Sequence, residues 1–325
     1  MKSIIVERFG DTEVMKLEEV QDPRAGKGQI RVAIKAAGVN YADIMQRMGT
    51  YPEGPQPPYP AGFEYAGEID QIGEGVEGWR VGDRVMGLCK MGGYSEYTVV
   101  PASQALRIPE HLGFNEAAAI PCQYFTAYHV LITLGQLQSG QTVLIQAAAG
   151  GLGTILVQIA HHLGARVIGT ASTDEKCDLI RGLGCDHPIN YKEKKFRDEV
   201  EKITEGKGCE LIVETVGGRV FDLSLRCLRP LGRLIVVGVA SNDPRPVYGS
   251  YLLPHNLTVS GFHLNGYLGN AQAMKDAIQC LDVWLEKGAL KFLVNHTFPL
   301  EEAAEAHRQI SDRKTSGKVV LTVGE

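Results

Sequence analysis

The sequence predicts an α/β protein in two parts: a mainly β domain assembled from both ends of the chain and, between them, a doubly wound parallel sheet of six strands. Three observations carry this. From residue 1 to about 125, short apolar runs are broken by Gly and Pro, the texture of a small β domain. From about 139, near-continuous Val, Ile and Leu runs alternate with amphipathic helical stretches, as in strands covered on both faces by helices. After Gly261 no further strand–helix–strand unit follows, and a last strand needs partners that only the first part can offer. Residues 1–125 completed by 264–325 are therefore expected to form one domain, with 126–263 inserted as the other.

In the first part the strand candidates are Ile30 to Ala36, Glu68 to Ile72 and Tyr94 to Val100, with a helix over Tyr41 to Met48. The run from Tyr51 to Pro60 holds five prolines in ten residues, which fixes φ repeatedly and reads as an ordered loop of the kind that borders a site. The six strands of the second part are Thr142 to Gln146, Arg166 to Thr170, His187 to Asn190, Glu210 to Glu214, Arg233 to Gly238 and Leu257 to Gly261. The tail reads as helix (Ala271 to Lys287), strand, helix (Leu300 to Ile310) and strand (Lys318 to Val323).

Of 325 residues, 44% are hydrophobic and 22% charged, which argues against disorder and against fibrous repeats. Lys and Arg number 33 against 38 Asp and Glu, a formal net charge of -5 without a basic run, so a nucleic-acid partner is disfavoured. The seven cysteines are scattered and never spaced C-x-x-C, as for thiols in a reducing compartment. No apolar stretch approaches the length of a membrane span. A cytoplasmic protein without a membrane partner is expected.

The first of the six strands runs into Ala147-Ala-Ala-Gly-Gly-Leu-Gly153 and then an apolar helix. Gly150 and Gly151 allow backbone to approach a pyrophosphate, Gly153 allows helix to pack on strand, and the helix N-terminus favours the anion. At the head of a six-strand series this pattern points to a dinucleotide-binding Rossmann domain. The usual fingerprint places its first glycine where Ala148 stands, so the loop is a variant. The second strand ends at Ala171-Ser172, where an NAD site normally carries a carboxylate for the ribose 2'-hydroxyl. Its absence favours a 2'-phosphate, with Lys176, Tyr191 and Arg313 as candidate donors. Asp174 argues the other way, because a small backbone shift would let it accept from the ribose.

The stretches Gly38-Val-Asn-Tyr-Ala-Asp43, Pro60-Ala-Gly-Phe-Glu-Tyr-Ala-Gly67, Val81-Gly-Asp-Arg-Val85, Gly92-Gly-Tyr-Ser-Glu-Tyr97, Phe125-Thr-Ala-Tyr128 and Ala147 to Gly153 span most of the chain. Together they resemble the medium-chain dehydrogenase/reductase superfamily, and within it the zinc-independent quinone oxidoreductase branch, the ζ-crystallin-like proteins. The resemblance implies a GroES-like first domain and a homodimer. In the zinc enzymes of the superfamily a Cys, a His with a Glu beside it and a second Cys surround the metal; the resemblance aligns these with Asn40, Phe63, Glu64 and Cys122. An amide and a phenyl ring replace two ligands, and a four-Cys structural lobe is missing, so no metal is expected.

Without a Lewis acid the suitable substrates are electron-poor acceptors that take hydride directly from nicotinamide C4. The reading is NADPH-dependent reduction of quinones or other α,β-unsaturated carbonyls. A 2-alkenal or enone double-bond reductase is the alternative, and an NADPH-binding protein without significant turnover is the alternative of another class. The resemblance implies catalytic roles for Asn40, Tyr51, Asp43 and Thr126. The expected cofactor contacts are Ala149, Gly150, Gly151, Leu152, Gly153, Ser172, Lys176, Tyr191, Gly238, Phe262 and Arg313. Asn40 either donates to a developing oxyanion or only caps the helix that follows; Asp43 either serves the site or only stabilises that first turn. Tyr51 either donates a proton or packs on prolines. Phe262 and His263 either contact nicotinamide or pair backbones between protomers.

Overall fold

A computed structural model of the chain describes residues 1–324. It divides into two compact units, Met1–Cys122 together with the segment from Phe292 onward, and Gln123–Lys291.

The first unit is organised on one long strand, Gln29–Val39, whose Ile30, Val32 and Ile34 alternate inward as a half-buried strand requires. It pairs antiparallel with Glu64–Ile72 and with Tyr97–Pro101. Its other half takes Lys318–Thr322, with Val319 opposite Val39 and Leu321 opposite Ala37. The tail strand therefore returns to this unit, as its buried Lys-Val-Val-Leu sequence demands. Strands Val294–Pro299, Arg84–Leu88 and Leu106–Arg107 complete this sheet, while Met15–Glu19, Lys2–Val6 and Tyr59–Pro60 form a smaller one. Ile4, Val6, Ile30, Val32, Tyr65, Ile69, Val85 and Leu321 pack into one core. The proline-rich loop thus ends in order, since Tyr59 and Pro60 pair with Val6 and Ile5.

In the second unit six parallel strands stand in the order His187–Asn190, Arg166–Ala171, Thr142–Ile145, Cys209–Glu214, Leu228–Val236 and Thr258–Gly261. This is the doubly wound Rossmann arrangement read from the sequence, and its strand order reverses between Thr142–Ile145 and Cys209–Glu214. Val143, Leu144, Ile145, Val167, Ile168, Leu211, Ile212, Val213, Leu234 and Ile235 are all buried. Thr258–Gly261 differs: it lies at the sheet edge, with Thr258 and Gly261 exposed.

The helix Ala271–Glu286 groups with this second unit, whereas the sequence reading assigned everything from 264 onward to the first. Packing explains the difference. Tyr124 Oη donates to the Ala277 carbonyl at 2.8 Å and meets Trp284 edge-on. Gln158, on the helix after the glycine loop, then clasps residue 291 from both sides: its Nε2 donates to the Lys291 carbonyl at 3.0 Å, and its Oε1 accepts from the Lys291 N–H at 2.8 Å. Among the described residues no helix is long and apolar enough to cross a membrane.

Candidate functional site

The glycine loop leaves strand Thr142–Ile145 and enters helix Gly151–His162 at the point where strand order reverses. Its tight turn falls on Ala147 (φ 52°), one residue before the position the fingerprint suggested; Ala148 is fully buried and donates its N–H to the Thr170 carbonyl at 2.9 Å. A left-handed conformation costs an alanine roughly 1–2 kcal/mol. Ala147 N–H is held at the Thr170 hydroxyl (3.2 Å), and that hydroxyl donates to Gln146 Oε1 at 2.7 Å. Gln146 Nε2 in turn donates to Ser224 Oγ at 3.0 Å, so a buried polar relay underlies the loop.

Gly150 caps the helix with extended backbone, and Thr154 N–H makes the first helical bond, to the Gly150 carbonyl. The N–H groups of Gly151, Leu152 and Gly153 precede it, at the end where a helix leaves donors and positive potential for an anion. A Cβ on Gly153 would lie 2.4 Å from the Ala147 carbonyl oxygen, whereas one on Gly150 would meet nothing closer than 3.5 Å. Gly153 is thus required by the close approach of the helix to the loop backbone at Ala147 and Ala148. Gly150 is not required by its neighbours, and its bareness leaves the loop open to an incoming group. Ala149 is buried behind it. Gly238 follows Leu228–Val236, and Phe262 N–H donates to the Val236 carbonyl at 2.9 Å, which puts both residues at C-terminal strand ends.

At the tip of the second strand, Ser172 is buried and Thr173 caps the helix Asp174–Arg181. Lys176, in that first turn, lies below the ordinary ammonium range because burial and then the charge of Lys192 disfavour its protonation. Tyr191 follows the adjacent strand, its N–H on the Ala171 carbonyl at 3.0 Å. Asp174 is engaged, its Oδ1 accepting from Asn190 Nδ2 at 2.9 Å. Arg313 belongs to the first unit, in a turn with φ 59°. A groove of about 630 Å³, lined by Thr142, Arg166, Lys207, Glu210 and Arg229, opens at the N-terminal ends of the strands. Open α/β sheets bind at the C-terminal ends, so the loop and not the groove marks the site.

In the first unit the structure brings Asn40 and Asp43 together with four residues the sequence reading did not place there as functional: Glu64, Tyr94, His307 and Lys318. All six are at most 5% exposed. Lys318 Nζ donates to Glu64 Oε2 at 2.6 Å and to Asn40 Oδ1 at 2.7 Å. Asn40 Nδ2 donates to Glu64 Oε2 at 3.0 Å and points at the Gly38 carbonyl at 3.4 Å, while Glu64 Oε1 accepts from Cys122 N–H at 2.6 Å. The Asn40 carboxamide is thus gripped at both ends. Asp43 Oδ2 accepts from Asn40 N–H at 2.8 Å and from Tyr94 Oη at 2.9 Å, so this carboxylate does stabilise the first turn of helix Tyr41–Met48. Burial pushes its pKa up to about 7, against the pull of the Asn40 N–H, Tyr94 and Lys318. Burial likewise holds His307 neutral, down to about 3; its Nε2 lies 3.3 Å from Tyr94 Oη.

Tyr51 is half-buried, and burial, then Cys122 and Asp43, raise its phenol well above the ordinary range. It therefore stays a neutral O–H donor. Thr126 is buried in helix Pro121–Tyr128 and belongs to the second unit. The positions aligned with a zinc site do not fit one: Phe63 offers no lone pair, Asn40 is tied to an ammonium, and Glu64 is the counter-ion of Lys318.

Residues 26–110 match the alcohol dehydrogenase GroES-like domain family, and residues 151–282 match the zinc-binding dehydrogenase family. The chain is 36% identical to a 2-haloacrylate reductase from a Burkholderia species over 98% of its length and 97% of that protein's. It is 33% identical to a quinone oxidoreductase of Pseudomonas aeruginosa, covering 98% and 99% of the two. The solved structure of Escherichia coli quinone oxidoreductase complexed with NADPH superimposes with a TM-score of 0.94 at 30% identity, covering 99% of this chain and all of that one.

Proposed function

Because the chain belongs to the zinc-independent, quinone oxidoreductase-like branch of the medium-chain dehydrogenase/reductase superfamily, we propose that it is an NADPH-dependent, metal-free reductase of quinones and other electron-poor α,β-unsaturated carbonyls. The observation that carries this reading is the strand tip at Ala171-Ser172, where Lys176 and Tyr191 gather while Asp174 is taken up by Asn190. A phosphate is welcome there, and a ribose hydroxyl has no prepared carboxylate.

The bound nicotinamide supplies a hydride from C4. The chain's own part is to hold and to protonate. The N–H groups of Gly151, Leu152 and Gly153 take the pyrophosphate, with Ala149 and Gly150 keeping the loop low. Ser172, Lys176 and Tyr191 take the 2'-phosphate; Gly238 and Phe262 line the nicotinamide end. Tyr51 gives its proton to the reduced acceptor. Asn40 fixes the local geometry through its grip on Glu64 and Lys318, and Thr126 contributes a hydroxyl beside the acceptor. The same reading includes a homodimer paired through the edge strand Thr258–Gly261 and a reducing, cytoplasmic setting, consistent with seven free thiols.

The relation to a 2-haloacrylate reductase favours a second reading, in which an activated carbon–carbon double bond is the acceptor. Both are tested by following NADPH oxidation against a panel of quinones, 2-alkenals and 2-haloacrylates, with and without a chelator. Turnover unaffected by the chelator is expected. Failure to oxidise NADPH with every acceptor would overturn the reductase reading; activity that the chelator abolishes and zinc restores would overturn the metal-free one.

A further inference from the structure

Asn190 ends the strand His187–Asn190, and the parallel register sets it opposite Ala171, the last residue of its neighbour. Its carboxamide acts in two directions. Nδ2 donates to Asp174 Oδ1 at 2.9 Å, and Oδ1 accepts from the Lys192 N–H at 3.1 Å. The N–H groups of Glu193 and Lys194 close the same turn on the Asn190 carbonyl, at 3.2 and 3.0 Å. One side chain therefore occupies the carboxylate that follows the first strand tip and shapes the turn that follows the second. The turn carries Tyr191 and Lys192 outward, both exposed.

One ammonium, Lys192, follows the strand His187–Asn190, and another, Lys176, stands in the first turn of the helix after the neighbouring strand. The charge of Lys192 is felt at Lys176. Like charges that repel one another are relieved when a dianion arrives. We propose that Asn190 is a positioning residue that sets the choice between a 2'-phosphate and a 2'-hydroxyl, by holding Asp174 away from the ribose and by turning the chain so that Lys192 joins Lys176 as a second cation for the phosphate. This deepens the NADPH reading and rests on it.

The test is binding alone, with NADPH, NADH and 2',5'-ADP titrated into the parent, Asn190→Ala, Asn190→Ala with Asp174→Ala, and Lys192→Ala. In Asn190→Ala the freed carboxylate repels the phosphate and serves the hydroxyl, so the NADPH-over-NADH preference falls by about tenfold. Adding Asp174→Ala restores most of it, which a merely structural role for Asn190 would not produce. Lys192→Ala, on an exposed side chain, weakens NADPH and 2',5'-ADP severalfold, flattens their salt dependence and leaves NADH unchanged. Equal weakening of both dinucleotides in Asn190→Ala, no recovery in the double variant, or unchanged 2',5'-ADP affinity in Lys192→Ala overturns the inference while a parental preference for NADPH stands. A parent that binds both dinucleotides equally overturns the NADPH reading itself, and this inference with it.

Discussion

Lys318 Nζ and Glu64 Oε2 lie 2.6 Å apart across 254 residues of sequence, at 3% and 0% side-chain exposure. Such a pair is costly to bury and costlier to break, because removing one partner leaves the other charged, dry and alone.

Lys318→Ala is therefore expected to destabilise the protein by about 3–5 kcal/mol, read as a lower urea midpoint. Lys318→Met combined with Glu64→Gln removes both charges and should recover much of that loss. If the single substitution shifts stability by less than about 1 kcal/mol, the pair is solvated and the grip on Asn40 is not electrostatic.

Asp43 gives a pH signature. Its folded-state pKa sits at about 7 against an ordinary value of 3.8. The folded state thus binds its proton more tightly, so its contribution to stability is complete below the ordinary value and is lost as pH rises from about 4 through about 7. Over that window the slope from this one group approaches about 1.4 kcal/mol per pH unit. Asp43→Asn should remove one proton's worth of slope from a series of urea midpoints. Parallel slopes in parent and variant would show that Asp43 is ionised in the fold throughout.

The two glycines of the loop separate cofactor binding from folding. Gly153→Ala places a methyl 2.4 Å from the Ala147 carbonyl oxygen, which forces the helix away from the loop backbone and is expected to cost about 1–3 kcal/mol as well as NADPH affinity. Gly150→Ala meets only ordinary contact at 3.5 Å and should leave thermal stability within about 0.5 kcal/mol of the parent while weakening NADPH. Equal NADPH affinity in Gly150→Ala would move the pyrophosphate elsewhere.

For Tyr51→Phe, turnover with a quinone is expected to fall on the order of 10²-fold at unchanged NADPH affinity, since only an O–H donor is removed. Rates within twofold of the parent would leave Tyr51 a packing residue.

Much of this architecture is legible in the sequence because burial on both faces writes itself as Val, Ile and Leu. Strands such as Cys209–Glu214 and Arg166–Ala171 can be read without knowing their partners. The helix Tyr41–Met48 is equally plain, bounded by Asn40 and by Gly49 at φ 74°. The polar network is not. Lys318 opens a tail strand and reads as a surface lysine; only the pairing of that strand with Gln29–Val39 carries it to Glu64. Asn190 escapes notice for a similar reason, because the parallel register and not sequence proximity sets it beside Ala171. The end of the second unit is misjudged because a clasp such as that of Gln158 on Lys291 has no local signature.

The position of Lys318–Thr322 inside the first sheet also orders events during synthesis. The strands Gln29–Val39 and Glu64–Ile72 leave the ribosome early, yet the strand that covers the far half of Gln29–Val39 follows the whole of the second unit. Residues 123–291 are contiguous and can fold as soon as they emerge, as domains do in turn during translation. The earlier-made unit must wait. Until residue 318 arrives, the Glu64 carboxylate lacks its ammonium and keeps its water. The first unit thus completes its sheet, and pairs Glu64 with an ammonium, only with residues made after the whole of the second unit.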